Sequence, residues 1–148
     1  MSEMGYMVYV SQASRPMQEA DLADILTKSR AYNTEDGVTG LLIYRYLPET
    51  GRGNFMQLLE GPKDKVDAAW GRIAADDRHH TQIVLEEGPI AGRACPNWSM
   101  GFRNVETRDL ADKEGFADLG EDSFSERALC GQVHGARDLM SAFYEADD

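Results

Sequence analysis

The chain is short of several things, and each shortage removes a class of function. Only Cys95 and Cys130 carry thiols, with nothing near metal-ligand spacing around them. They suit two reduced thiols in a cytoplasm and leave a single pairing open. No apolar run approaches the ~20 residues of a membrane span. The N-terminus has no basic region followed by a long apolar stretch, as a secretory signal would require. Basic residues are scarce: 15 Lys and Arg stand against 26 Asp and Glu, a formal net charge of −11. The deficit is uneven, since residues 1–103 hold 11 basic and 14 acidic residues while residues 104–148 hold 4 and 12. Binding a nucleic-acid backbone needs clustered Lys and Arg, so direct nucleic-acid contact is not expected. The acidic tail suits repelling DNA or meeting a basic protein partner, its plainer meaning being a solvated surface.

Catalytic signatures are also missing. The run "EDGVTG" lacks the spacing of a phosphate-cradling loop and precedes a strand rather than a helix. No Ser or Cys nucleophile pairs visibly with a histidine. Arg78, His79 and His80 are adjacent, but neighbouring histidines on a strand point to opposite faces and rarely share one metal. No enzyme class is favoured.

What is present is an ordinary core, with 42% hydrophobic residues in 148, enough for one domain or one domain with a short appendage. "YMVYVS" reads as an opening strand. "PMQEADLADILTKSRAYN" has Leu22, Ile25, Leu26 and Ser29 at helical spacing, with Pro16 placed for a first turn. "VTGLLIYRY", the loop "LPETGRGN" and the run "NFMQLLEGP" make a hairpin. "GPKDKVDAAWGRIAADD" is a second helix with a stripe of Val66, Ala69, Trp70 and Ile73. "RHHTQIVLEEGPI" leads into a fourth strand, and "NWSMGFRNV" is a fifth with Trp98, Met100 and Phe102 on one face. The order β-α-β-β-α-β-β predicts an α+β, ferredoxin-like sandwich: a mixed five-stranded sheet with both helices on one face. Beyond it, "TRDLADKEGF" and "SERALCGQVHGARDLMSAFYEA" are helical candidates, the second weakened by Gly131 and Gly135. Leu129, Val133, Leu139, Met140 and Phe143 offer a stripe for the bare sheet face or a second subunit.

Three polar residues are stranded among apolar ones. Tyr9 sits in strand one, Asn33 at the end of helix one, and Gln57 inside strand three, where alternation puts Phe55, Gln57 and Leu59 on one side. Taken singly, they read as a core tyrosine reaching a carbonyl, a helix cap and a strand-edge amide facing water. A buried amide left without partners costs ~1–3 kcal/mol. Together the three could ring one planar, polar-edged ligand lying between the two helices.

In order, "MVYVS", "ILTKSRAYNTEDGVTGLLIY", "FMQLLEGP", "DDRHH" and "NWSMGF" resemble the blue-light-sensing flavin domain called BLUF, across residues 6–103. The resemblance implies a flavin held without a covalent bond between the helices, FAD or else FMN or riboflavin. It makes Tyr9 the photoactive tyrosine, Gln57 the switching glutamine, and Trp98 and Met100 the last-strand pair that responds. It makes Asn33 the partner of the flavin's pyrimidine edge, and Ile25 and Ile73 the apolar residues flanking the ring. Ser29 joins the cofactor-binding set, with Arg72, Arg78 and His79 near the ribityl–phosphate arm. The expected arrangement is a sensing domain over 1–103 and a helical extension over 104–148 for output or oligomerisation. No effector domain is seen to follow, so the expected output is contact with a downstream regulatory protein by a cytoplasmic, non-enzymatic photoreceptor that forms a homo-oligomer. The alternative is a ferredoxin-like ligand-binding or regulatory module that does not respond to light.

Overall fold

The structure, a computed structural model, describes residues 3–110, 113, 115–119 and 121–146. Strand β1 (Met4–Ala13) leads to helix α1 (Glu19–Asp36) and the hairpin of β2 (Thr39–Leu47) and β3 (Arg52–Pro62). Helix α2 (Lys63–Ala74), β4 (His79–Pro89) and β5 (Gly101–Val105) follow, then the short α3 (Thr107–Leu110), α4 (Asp122–Leu129) and α5 (Ala136–Ala146). The sheet order is β4-β1-β3-β2-β5, with β2–β5 parallel and the other pairings antiparallel. This is the mixed, ferredoxin-like arrangement expected from the sequence.

Side-chain alternation gives the sheet two apolar faces. Met7, Leu42, Tyr44, Phe55 and Leu59 meet Leu22 and Leu26 of α1 and Val66 and Ala69 of α2. On the other side Val8, Leu41, Ile43, Met56 and Leu58 meet Leu119, Phe124, Val133, Leu139, Met140 and Phe143. Each large aliphatic side chain so buried contributes ~1.5–3 kcal/mol. The C-terminal helices therefore cover the bare sheet face. Leu129 is the exception within the expected stripe, being 70% exposed.

Several boundaries differ from expectation, each for a local reason. Pro16 lies before α1, whose entry is set instead by the Asp21 carboxylate accepting the Gln18 backbone N–H at 2.9 Å. The helix runs past Asn33 to Asp36, where Gly37 at φ +71° ends it. The expected loop 47–54 shrinks to a four-residue turn, because β3 pairs with β2 from Arg52 onward. The segment 125–146 splits into α4 and α5 around Gly131 and Gly135, both at positive φ. Of the helical candidate 107–116, only α3 forms, and residues 111, 112 and 114 lie outside the described residues.

The fifth strand is also shorter than read, starting at Gly101 rather than Asn97. Ahead of it the backbone hydrogen-bonds to side chains and to single strand-edge groups. The Glu60 carboxylate accepts the N–H of Ala94 at 2.8 Å and of Cys95 at 2.6 Å, and the Gly40 N–H donates to Trp98 O at 3.0 Å. Trp98 and Met100 thus sit in the approach to β5 and part company. Trp98 packs on the core beneath the C-terminal helices, while Met100 joins the core beneath α1 and α2 with Phe102.

Candidate functional site

Between α1, α2 and the sheet lies a cleft of about 270 Å³, near the lower end of the ~300–1,000 Å³ typical of small-molecule sites. Its floor is the sheet face carrying Tyr9, Leu42, Phe55, Gln57 and Leu59, and its walls include Ile25 and Ile73 from the two helices. Ser29, Asn33, Arg72, Arg78 and His79 complete the expected set that lines it. Trp98 and Met100 are not among its lining residues.

Tyr9 and Gln57 are register partners across β1 and β3, so both project toward the helices. The Tyr9 hydroxyl donates to Gln57 Oε1 at 2.5 Å. Gln57 Nε2 donates to Met100 Sδ at 3.3 Å. Both residues are at most 3% exposed, which disposes of a water-facing amide at a sheet edge. Burial, helped by the negative charge of Asp76, pushes the Tyr9 hydroxyl far above the ordinary tyrosine range, so it stays neutral. Trp70 packs against it with ring centroids 4.9 Å apart.

Asn33 is buried in the last turns of α1 and does not cap the helix. Its Nδ2 donates to Ser99 O at 2.7 Å. Among the described residues its Oδ1 has no hydrogen-bond partner, which leaves an acceptor at the cleft edge. His79 is engaged at both ring nitrogens. The Ile73 carbonyl, 2.5 Å from Nε2, can only accept, so Nε2 carries the hydrogen there; Nδ1 lies 2.7 Å from Ser11 Oγ. What His79 offers the cleft is ring surface. Arg78 is paired with Asp24 at 2.9 Å and Asp76 at 3.5 Å. Arg72 is the looser cation: it stands 3.7 Å from Asp36 and lies over the half-exposed Tyr32 ring at 4.1 Å.

A family model described as BLUF, sensors of blue-light using FAD, matches residues 4–101. The chain belongs to the BLUF family. The photoactivated adenylate cyclase subunit beta of Euglena longa is 35% identical over 100 residues, covering 67% of this chain and 11% of that protein. The chain thus spans about a tenth of that relative's length. Among solved structures, the dark state of BlrB, a BLUF protein, matches with a TM-score of 0.70 at 27% identity, covering 96% of this chain and 98% of that one. A bacterial light-regulated adenylyl cyclase matches at 0.69 and 31% identity, over 85% of this chain and 36% of that one.

BLUF domains bind flavin, and this cleft suits one. Apolar walls can hold a flat ring from both sides, while a ring's polar edge needs donors and acceptors such as the Gln57 amide and the unpartnered Asn33 Oδ1. Several lining residues were not singled out from sequence. Leu42 is an ordinary apolar position whose role depends on the pairing of strands, and Ala69 is legible only as part of the α2 stripe. Lys28 and Asp76 look like surface charges. Phe55 and Leu59 were legible, since strand periodicity puts them on the face of Gln57.

Proposed function

We propose that the chain is a blue-light photoreceptor that binds a flavin non-covalently, FAD in the first place with FMN or riboflavin as alternatives, and reports light through Gln57. The observation that carries this reading is the buried row from Tyr9 through the Gln57 amide to Met100, with Tyr9 and Gln57 on the floor of the cleft. A bound flavin supplies a ring that absorbs blue light and, once excited, takes up one electron. Tyr9 is the neutral, oxidisable phenol beside it. A phenol that loses an electron becomes strongly acidic, and the Tyr9 proton has the Gln57 carbonyl within reach. The amide can pass a proton because it offers both an acceptor and donors. Its alternative rotamer or tautomer exchanges the two ends with almost no change in volume, which a close-packed site tolerates. That exchange breaks the contact to Met100 and leaves a different donor facing the cleft.

Asn33 holds the ring's polar edge, Ile25, Ser29 and Ile73 line its flanks, and Arg72, Arg78 and His79 lie toward the ribityl–phosphate arm. Residues 1–103 act as the sensing domain. Residues 104–148 act as the helical extension that carries output, with Met100 and Trp98 as the link. A few hydrogen bonds of ~0.5–1.5 kcal/mol each shift a two-state element by about tenfold, enough for a signal. The output is contact with a downstream regulatory protein by a homo-oligomeric, cytoplasmic sensor that has no catalytic site of its own and meets neither nucleic acid nor membrane directly. Among the described residues no helix is long and apolar enough to cross a membrane.

Purification from flavin-replete cells tests the reading. A yellow protein whose spectrum moves reversibly to the red under blue light supports it, and chromatography of the released chromophore identifies the flavin. A colourless protein, or a spectrum unmoved by light, contradicts it.

A further inference from the structure

The segment from Arg93 to Met100 is held at both ends by side chains. At its start the buried Glu60 takes the N–H groups of Ala94 and Cys95, and the Arg93 guanidinium donates to the carbonyls of Gly37 at 2.7 Å and Glu60 at 3.2 Å. At its end α1 grips two successive carbonyls. Asn33 donates to Ser99 O, and Arg30 Nε donates to Met100 O at 2.9 Å. Arg30 does not line the cleft and has no part in the mechanism above. Among the described residues its side chain makes this hydrogen bond and no ion pair.

We infer that Arg30 is a positioning residue for the Gln57 switch: by fixing the Met100 carbonyl it keeps Met100 Sδ where Gln57 Nε2 can donate to it. The inference rests on the proposed light switch. A thioether is a weak acceptor, so its contact with an amide is only as good as its placement. Methionine has three rotatable side-chain bonds and does little to fix its own sulfur. A guanidinium on the adjoining carbonyl is a charge-assisted bond, roughly twice as strong as a neutral one. Arg30 therefore favours the amide orientation in which the oxygen faces Tyr9 and the nitrogen faces Met100. Without it that orientation loses ground to the switched one, and the return after illumination slows.

The test compares the purified, flavin-loaded parent with Arg30→Ala, Arg30→Lys, Met100→Leu and the Arg30→Ala/Met100→Leu double variant. Arg30→Ala is expected to slow dark recovery by at least about threefold, the scale of one weakened hydrogen bond. Arg30→Lys, which keeps a charged donor, returns it to within about twofold. In the Met100→Leu background, removing Arg30 adds nothing, as coupling through one partner requires. Recovery within threefold of the parent, faster recovery, or an undiminished effect in the Met100→Leu background overturns the inference. A second readout is methyl NMR of ¹³C-methionine-labelled protein in the dark: Arg30→Ala moves or broadens the Met100 methyl signal, and an unmoved signal overturns the inference. If the parent shows no light response, the proposed function fails, while the methyl signal still decides the placement of Met100.

Discussion

Tyr9 and Gln57 stand directly opposite each other on adjacent central strands, with the phenol O–H 2.5 Å from the amide oxygen. Antiparallel pairing at this register is what brings them together. A slip of one residue in either strand would turn one of the two to the far face of the sheet. The contact is therefore as rigid as the β1–β3 ladder itself, and it is fenced by Phe55 and Leu59 on the same face. A proton donor and a two-ended amide held this way can respond to a change in the ligand without any backbone rearrangement.

Gly101 gives access to Trp98 without touching the cleft. A Cβ on Gly101 would collide with an indole ring carbon of Trp98. Gly101→Ala should push the indole off its seat, at the ~1–3 kcal/mol typical of overpacking. Calorimetry and tryptophan fluorescence should both register the change, while the cleft keeps its capacity for flavin. An unaltered melting temperature would contradict the packing described.

Thr81 has φ +54°, a left-handed conformation that a β-branched residue adopts only under strain. It lies in β4 within the second register shift against β1, between Ile83, which pairs with Val10, and His80, which pairs with Gln12. Asn tolerates this region far better. Thr81→Asn should stabilise the protein by roughly 0.5–1 kcal/mol, read as a higher denaturation midpoint. A lower midpoint would show that the threonine side chain contributes more than its backbone strain costs.

Two buried acids make stability fall at alkaline pH. Burial beside Glu60 pushes the Cys95 thiol from its ordinary 9.0 up to about 12, and burial raises Tyr9 well beyond its ordinary 10.0. Each holds its proton more tightly folded than unfolded, so its contribution is intact below the unfolded value and is lost as pH rises past it. Urea midpoints measured upward from pH 9 should fall, by at most ~1.4 kcal/mol per pH unit for each group. Cys95→Ala should flatten the part of the fall between pH 9 and 12. Equal slopes in parent and variant would contradict it.

Much of this fold was legible because its signals are periodic. Alternation placed Phe55, Gln57 and Leu59 on one face, and strand–helix–strand order implied a single sheet with α1 and α2 together. The approach to β5 was not legible. Its sequence alternates well enough for a strand, but the Asn33 amide and the Arg30 guanidinium take the Ser99 and Met100 carbonyls that a longer β5 would have used. Such claims come from residues tens of positions away, and no local pattern announces them. Pro16 and Asn33 misled in a smaller way, since both have familiar meanings at helix ends that Asp21 and Gly37 fulfil instead.

The most direct measurement of the central claim is the light-minus-dark absorption difference of the parent beside Tyr9→Phe and Gln57→Leu, each reconstituted with the same flavin. The parent should give a reversible red shift, and both variants should bind the chromophore yet give no such shift. A reversible shift of parental size in either variant would contradict the account.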